Sequence, residues 1–364
     1  MEFIVIVLIV GGLLLLSFLQ LSNVTGVNRR ANIFFGIFTF QWSTFWLDEM
    51  VFSELHYESS VFVFVRFFQF LVPISFILSV KFYSNPNTKL VWKDLWLAVV
   101  PILFLVLLLF RSVIDLYYFE LCYIVIFIGH ALFYTVLANV KILRHQKNVE
   151  LFHSNTEDID LRWIKYIIYS FISSAVLMSI YSFFTTSDSL NIYINLFFLS
   201  VVYLVAYYSI RQKEIYPKGA MLTEVVAGNE RGGATANLPK NKLFNERELN
   251  VLKDKLLTLM ENEKPYLDSS LNLIKLSEHM QISTHQLSYI INAGFGENFF
   301  HFVNKYRVRK AAELLTNPRY DHLNIIVIGY EAGFNSKTSF NTTFKKMTAY
   351  TPTEYRNNNQ GDQA

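Results

Sequence analysis

Two short polar faces near the end of the chain carry residue types suited to nucleic-acid chemistry. In the first, Ser283, Thr284, His285, Gln286, Ser288, Tyr289 and Asn292 are expected to stand outward on a helix whose Leu287, Ile290 and Ile291 point to a core. In the second, Asn335, Ser336, Lys337, Thr338, Asn341, Thr342, Lys345 and Lys346 stand around the apolar Phe340 and Phe344. Gln and Asn can pair bidentately with adenine, while Ser, Thr and His can donate to or accept from either base pair. Lys neutralises phosphate and releases counterions. Surface residues of these types are more often simply solvated, so the weight rests on the elements that would position them.

Each face opens a helix that follows another across a turn. Leu273 to Met280 predicts a short helix, and Ser283 with Gln286 predicts a capping box opening the next, to Asn292. Ile325 to Glu331, a turn at Gly333 and a helix from Lys337 repeat the arrangement. Between the two units Asn298 should cap a helix through Leu315, ~27 Å long at helical rise and near the ~34 Å between successive major-groove faces. Ahead of them, Asn245 and Glu248 predict the start of a helix with a Leu249, Leu252, Leu256, Leu259 stripe. That stripe could be a dimer seam, making a homodimer a candidate partner state, but packing onto the first unit fits its short length better. These elements delimit a domain over 242–358, followed by a disordered tail, 359–364.

The preceding chain is different in kind. Of 364 residues 52% are hydrophobic and 16% aromatic, too apolar for two ordinary soluble domains. Seven stretches have the length and apolarity of bilayer spans: Phe3 to Leu21, Ala31 to Leu47, Val61 to Tyr83, Leu95 to Phe110, Tyr118 to Val140, Trp163 to Phe184 and Leu190 to Ile210. They predict a seven-span membrane domain over 1–213, with Pro101 able to kink the fourth span. Pro217, Gly219, Gly228, Gly232, Gly233 and Pro239 mark 214–241 as a flexible linker.

Orientation follows from Lys and Arg. With the N-terminus outside, Arg29, Arg30, Lys81, Lys89, Lys93, Lys141, Arg144, Lys147, Arg162, Lys165, Arg211, Lys213 and Lys218 all fall inside, against Arg111 outside. The C-terminal domain then emerges in the cytoplasm, where DNA is. Trp42, Trp46, Trp92, Trp96 and Trp163 near span ends read as interfacial anchors. Arg66 is the one full charge well inside a span. It either snorkels outward or forms part of a signal site for an unknown ligand, with Asp48, Glu49 or Glu120 as counter-ion. Gln69 and His130 are expected to make helix–helix hydrogen bonds. Cys122 alone excludes intrachain disulfides and a cysteine metal site, and reads as an ordinary buried residue.

Lys240 to Asn357 resembles the DNA-binding domain of the AraC/XylS family of bacterial transcription regulators. The resemblance rests on the two units and their long connecting helix, on Gly296, Phe299 and Arg307, and on Gly333-Phe334, Phe340, Phe344-Lys345-Lys346, Pro352 and Tyr355-Arg356. It implies an all-α domain that binds specific double-stranded DNA through adjacent major-groove faces and controls nearby promoters, as activator or repressor, with RNA polymerase as a partner. Ser277 and Gly329 stand where the family usually has Ala, and Ala349 where it usually has Gly, at a helix end expected to turn left-handed. The seven spans resemble, in architecture only, membrane sensors fused to such domains, so the expected location is the bacterial cytoplasmic membrane, with the lipid bilayer as a further partner.

The leading expectation is a one-component, membrane-anchored regulator that is not an enzyme and needs no cofactor or metal. The alternative is a membrane transporter or enzyme with a fused regulatory DNA-binding domain. Against an enzyme, the chain has no His-Glu-x-x-His, no Gly-x-Ser-x-Gly, no Gly-rich phosphate loop and no paired intramembrane carboxylates, hence no catalytic candidates. Against a transporter, polar residues in the spans are sparse and no matched broken helices appear. A tethered module that does not bind DNA is the third possibility, opposed by Lys337, Lys345 and Lys346.

Overall fold

A computed structural model describes residues 2–24, 26, 28–52, 59–156, 159–184, 191–212 and 243–361. Among them there is no strand, only an isolated antiparallel bridge between His153 and Asn272. The chain divides into two units, 1–145 with 158–214, and 146–157 with 215–364. The boundary is not the one expected: residues 146–157, placed by sequence in the membrane domain, group with the C-terminal unit.

The first unit holds α1 (Glu2–Leu21), α2 (Arg29–Phe52), α3 (Ser59–Phe70), α4 (Val72–Ser84), α5 (Val99–Leu109), most of α6 (Leu116–Val149), α7 (Arg162–Phe184) and α8 (Asn191–Arg211). Among the described residues four helical stretches are long and apolar enough to cross a membrane: Glu2–Leu21, Val61–Ser84, Leu116–Val149 and Ile192–Arg211. Helices α2 and α7 have the length, but Asn32, Thr39, Gln41 and Ser43 in one and Lys165, Ser170, Ser173 and Ser174 in the other dilute their apolarity. The third expected span is two helices broken at Leu71, because Pro73 has no N–H to continue the ladder. The fourth is shorter than expected. Trp92–Ala98 winds as a 3-10 helix, and only Val99–Leu109 is α-helical, ~16 Å at helical rise.

Polar side chains tie these helices together. Ser17 Oγ donates to Gly36 O (2.8 Å), Tyr83 Oη to Asn32 Oδ1 (2.7 Å), Ser75 Oγ to Gln41 Oε1 (2.6 Å) and Trp46 Nε1 to Asn195 Oδ1 (3.0 Å). Trp42, Trp46 and Trp163 are therefore not interfacial anchors but buried packing residues: Phe38, Phe171 and Phe198 surround Trp42, and Phe35 meets Trp163 edge-on. Trp92 and Trp96 remain exposed. Cys122, expected buried, is exposed. Much apolar surface faces outward, with Phe3, Phe64, Leu103 and Val136 each about 60% exposed or more.

The second unit contains the last turn of α6, then α9 (Glu246–Asn262), α10 (Leu273–Met280), α11 (Thr284–Phe295), α12 (Phe299–Thr316), α13 (Ile325–Glu331), α14 (Lys337–Thr348) and α15 (Pro352–Gly361). Local chemistry sets the ends. Asn245 and Glu248 make the expected capping box (2.8 and 2.9 Å), and Ser283 and Gln286 the next (3.2 and 2.9 Å). Asn298 caps α12 by accepting from His301 N (2.8 Å). Leu256 and Met260 of α9 are fully buried, with Leu249, Leu252 and Leu259 half-buried, so the stripe packs within the unit. Pro352 at its start and a Thr351–Glu354 box carry α15 through Gly361, into the expected tail. The expected linker falls outside the described residues, apart from its neighbours in sequence.

Candidate nucleic-acid interface

Two helix pairs flank α12, which at 18 residues has the length expected of a rod joining them. In the first, α10 ends on Gln281 at φ 58°, and α11 runs to Gly296 at φ 69°. Leu273, Leu276, Met280, Leu287, Ile290 and Ile291 are buried, as are Phe302 and Val303 of α12. In the second, Ile328, Ala332, Phe334, Phe340 and Phe344 pack on Val308, Ala311, Leu314 and Leu315. The turn works because Gly333 (φ 91°) lies where a Cβ would be 2.3 Å from Tyr266 O. Gly329 is pressed so close to Phe340 that a Cβ there would be 2.6 Å from the ring, explaining why this helix has no Ala at that place.

The structure sorts the expected site residues. On α14, Lys337, Thr338, Thr342, Lys345 and Lys346 are exposed and Asn341 half-buried; Lys337, Thr338, Asn341, Thr342 and Lys345 form one stripe along the helix. Asn335 is exposed, and Ser336 is committed to the N-cap, accepting from Ser339 N at 3.1 Å. On α11 the outward face is narrower than expected. Ser288 is buried at 9% exposure and accepts from Asn292 Nδ2 (3.3 Å); its position lies about one turn from the core residue Ile291. Tyr289 leans edge-on against Phe244 (5.9 Å). Gln286 spends its Oε1 on the cap, so its amide N–H groups remain for an outside partner. Thr284 and His285 complete this face, half-buried.

Sequence reasoning missed the polar core of the rod. Arg307 is 1% exposed, and its guanidinium donates to Tyr266 O (2.7 Å), Asp268 O (2.8 Å), Ser154 O (3.3 Å) and Asn304 Oδ1 (3.4 Å). Burial pulls its pKa down to about 10, partly offset by the charge of Asp268, so it stays protonated at neutral pH. Asp268 itself is held down at about 2. Its partial burial acts the other way and is outweighed by hydrogen bonds from Ser270 and Lys275. Arg307 stood out in sequence as part of the family resemblance, and the local hint of its polar surroundings was Asn304 and Arg307 at i, i+3 amid the apolar positions of α12.

The comparisons agree with this geometry. Residues 276–358 match the family of the helix-turn-helix domain. Over 119 residues, 33% of this chain, the sequence is 33% identical to an uncharacterized HTH-type transcriptional regulator of Staphylococcus aureus (strain COL). Over 89 residues, 24% of this chain, it is 27% identical to the arabinose operon regulatory protein of Escherichia coli (strain K12). The C-terminal unit carries an AraC-type helix-turn-helix domain. The chain spans only 15% and 30% of the lengths of these relatives. No solved structure matches. Among the described residues no group of His, Cys, Asp or Glu could hold a metal ion.

In the first unit, Arg66 Nη1 meets Asp48 Oδ2 at 2.9 Å and donates to Gln69 Oε1 at 3.0 Å, while Gln69 Nε2 reaches Thr44 O at 3.3 Å. Asp48 thus takes the place of counter-ion; Glu49 and Glu120 are exposed and make no ion pair with Arg66 among the described residues. Gln69 makes the helix–helix hydrogen bond expected of it. His130 does not: it stacks on Phe70 (4.0 Å) with its Nε2 unpartnered.

Proposed function

We propose that this protein is a membrane-anchored transcription regulator of the bacterial cytoplasmic membrane, binding specific double-stranded DNA through α11 and α14. The observation that carries it is the Lys337, Thr338, Asn341, Thr342, Lys345 stripe, exposed except for the half-buried Asn341, on the second helix of an AraC-type unit, in a chain whose other unit has helices long and apolar enough to span a bilayer. Lysines 337, 345 and 346 contact phosphate, whereas Asn341, Thr342, Thr338 and the amide of Gln286 face base edges. RNA polymerase is the partner through which bound promoters respond. The Arg66–Asp48–Gln69 cluster is the candidate signal site, because a partly exposed ion pair inside an apolar helix packing costs desolvation that a ligand could exploit.

Genome-wide mapping of DNA bound by the full-length protein tests the DNA part. A discrete set of promoters supports it, and uniform or no enrichment refutes it. Reporter fusions after Arg30, Ser60, Lys89, Arg111, Lys147, Asp188 and Lys218 test the membrane part and should alternate between inside and outside. The pair at Lys89 and Arg111 decides whether the short α5 crosses. An external Lys218 fusion would exclude a regulator.

A further inference from the structure

The segment 146–157 reaches the C-terminal unit by chain connectivity from α6 and α7, yet it is built into that unit. Val149, Phe152 and Ser154 are buried. Its backbone serves two helix N-termini whose N–H groups have no intrahelical acceptor. Phe152 O accepts from Leu273 N at the start of α10 (2.8 Å), and Glu150 O accepts from Phe300 N at the start of α12 (3.0 Å). Side chains add to this. Glu150 Oε2 accepts from the cap residue Asn298 (3.3 Å), and Ser154 Oγ donates to Leu271 O (2.5 Å). Ser154 O accepts from the buried Asn304 Nδ2 (2.9 Å) and from Arg307 Nη1 (3.3 Å).

From this we infer that 146–157 is a docking element which fixes α10 against α12 and passes rearrangement of the membrane helices to the DNA-binding domain. It holds the cap of the rod and the first helix of the first unit together, and so sets the relation of the two reading helices. None of the residues it engages belongs to the outward faces of α11 or α14, so docking leaves those faces open. Release would strand buried donors on Asn304, Arg307, Leu273 and Phe300 and loosen the domain. Docking is therefore the DNA-competent arrangement, and undocking weakens binding. The regulatory half of this rests on the proposed function; the docking half does not.

The antiparallel pair His153 and Asn272 supplies the test, because such pairs hold Cα atoms about 4.5 to 5.5 Å apart, within disulfide reach. In full-length protein in membrane vesicles carrying Cys122→Ser, His153→Cys and Asn272→Cys, a protease site is inserted between Gly232 and Gly233. After oxidation and cleavage the two pieces should stay joined on a non-reducing gel and separate on reduction; separation under oxidation overturns the docking. In the second arm, Phe152→Asp should weaken binding of a duplex selected from a random pool by at least tenfold, while the oxidised double-cysteine protein should bind as the wild type does. Unchanged affinity in Phe152→Asp overturns the regulatory role. If wild-type protein selects no duplex although the crosslink forms, the docking stands and the DNA-binding function fails.

Discussion

Replacing Ala349 by glycine probes one residue that the chain carries against local preference. Ala349 closes α14 at φ 68° and ψ −9°, with its N–H on Lys345 O at 2.9 Å. It is exposed, so removing its methyl forfeits little packing. A Cβ in the left-handed region costs roughly 1 to 2 kcal/mol. Glycine gives back roughly 0.4 to 1 kcal/mol through the entropy of the unfolded chain. The difference is a net stabilisation of a few tenths to about 1 kcal/mol. The same chain holds the reverse case at the end of α11: Gly296 has φ 69°, and a Cβ there would meet nothing within 4 Å. Gly296→Ala should therefore lose a similar amount through backbone strain alone. Pulse proteolysis in urea of the full-length protein in detergent, following the C-terminal unit, measures both. At a slope of roughly 1.5 kcal/mol per molar urea, the midpoint should rise by roughly 0.2 to 0.7 M in Ala349→Gly and fall by a similar step in Gly296→Ala. A fall in Ala349→Gly would mean that left-handed strain is not what governs this helix end.

Gly333→Ala should cost more, roughly 2 to 4 kcal/mol by the same assay, because the added carbon would sit 2.3 Å from Tyr266 O, the carbonyl that also receives Arg307 Nε. Asp268→Asn should narrow the stability difference from wild type as pH falls. A carboxylate held at about 2 in the folded state contributes fully above its unfolded value near 4 and loses that contribution as pH drops toward 2; urea midpoints at pH 7 and pH 3 check it. Lys345→Ala should weaken selected and random duplexes alike and flatten the salt dependence, whereas Asn341→Ala should relax preference at particular base pairs by roughly 1 to 3 kcal/mol, read from binding titrations at two salt concentrations.

What was legible in the sequence was local. The boxes at Asn245–Glu248 and Ser283–Gln286 and the Asn298 cap each depend on residues within one turn of each other, and each was found where side-chain chemistry put it, while the left-handed end at Ala349 was expected only from the family resemblance. Period also carried far: the core positions of α11 and most of those of α12 follow from 3.6-residue spacing. Helix continuity was less legible. Apolarity predicted an unbroken span at Val61 to Tyr83 and, at Leu95 to Phe110, a span that Pro101 could kink; Pro73, by withholding one N–H, breaks the first, and the second is a short helix with a 3-10 lead. Tryptophan misled in the same way, since a ring placed near a span end by sequence can turn to the lipid interface or to a neighbouring helix, and Trp42, Trp46 and Trp163 turn inward.

Arg307 shows why the remainder could not be read along the chain. A guanidinium presents five donors, and leaving them unpaired in an apolar interior is costly, so a buried arginine must collect acceptors from wherever the fold brings them. Here they come from Tyr266, Asp268, Asn304 and Ser154, the last 153 positions away in sequence. Nothing in the residues around Ser154 marks it as an acceptor for α12; its carbonyl is like any other. The demand for it is visible only from the other side, in a charged residue set among the apolar positions of a helix that already has its core. Buried charges whose local partners cannot satisfy all their donors are thus the points at which a distant segment must be present. In this chain the segment so required is the one that connects α6 to α7.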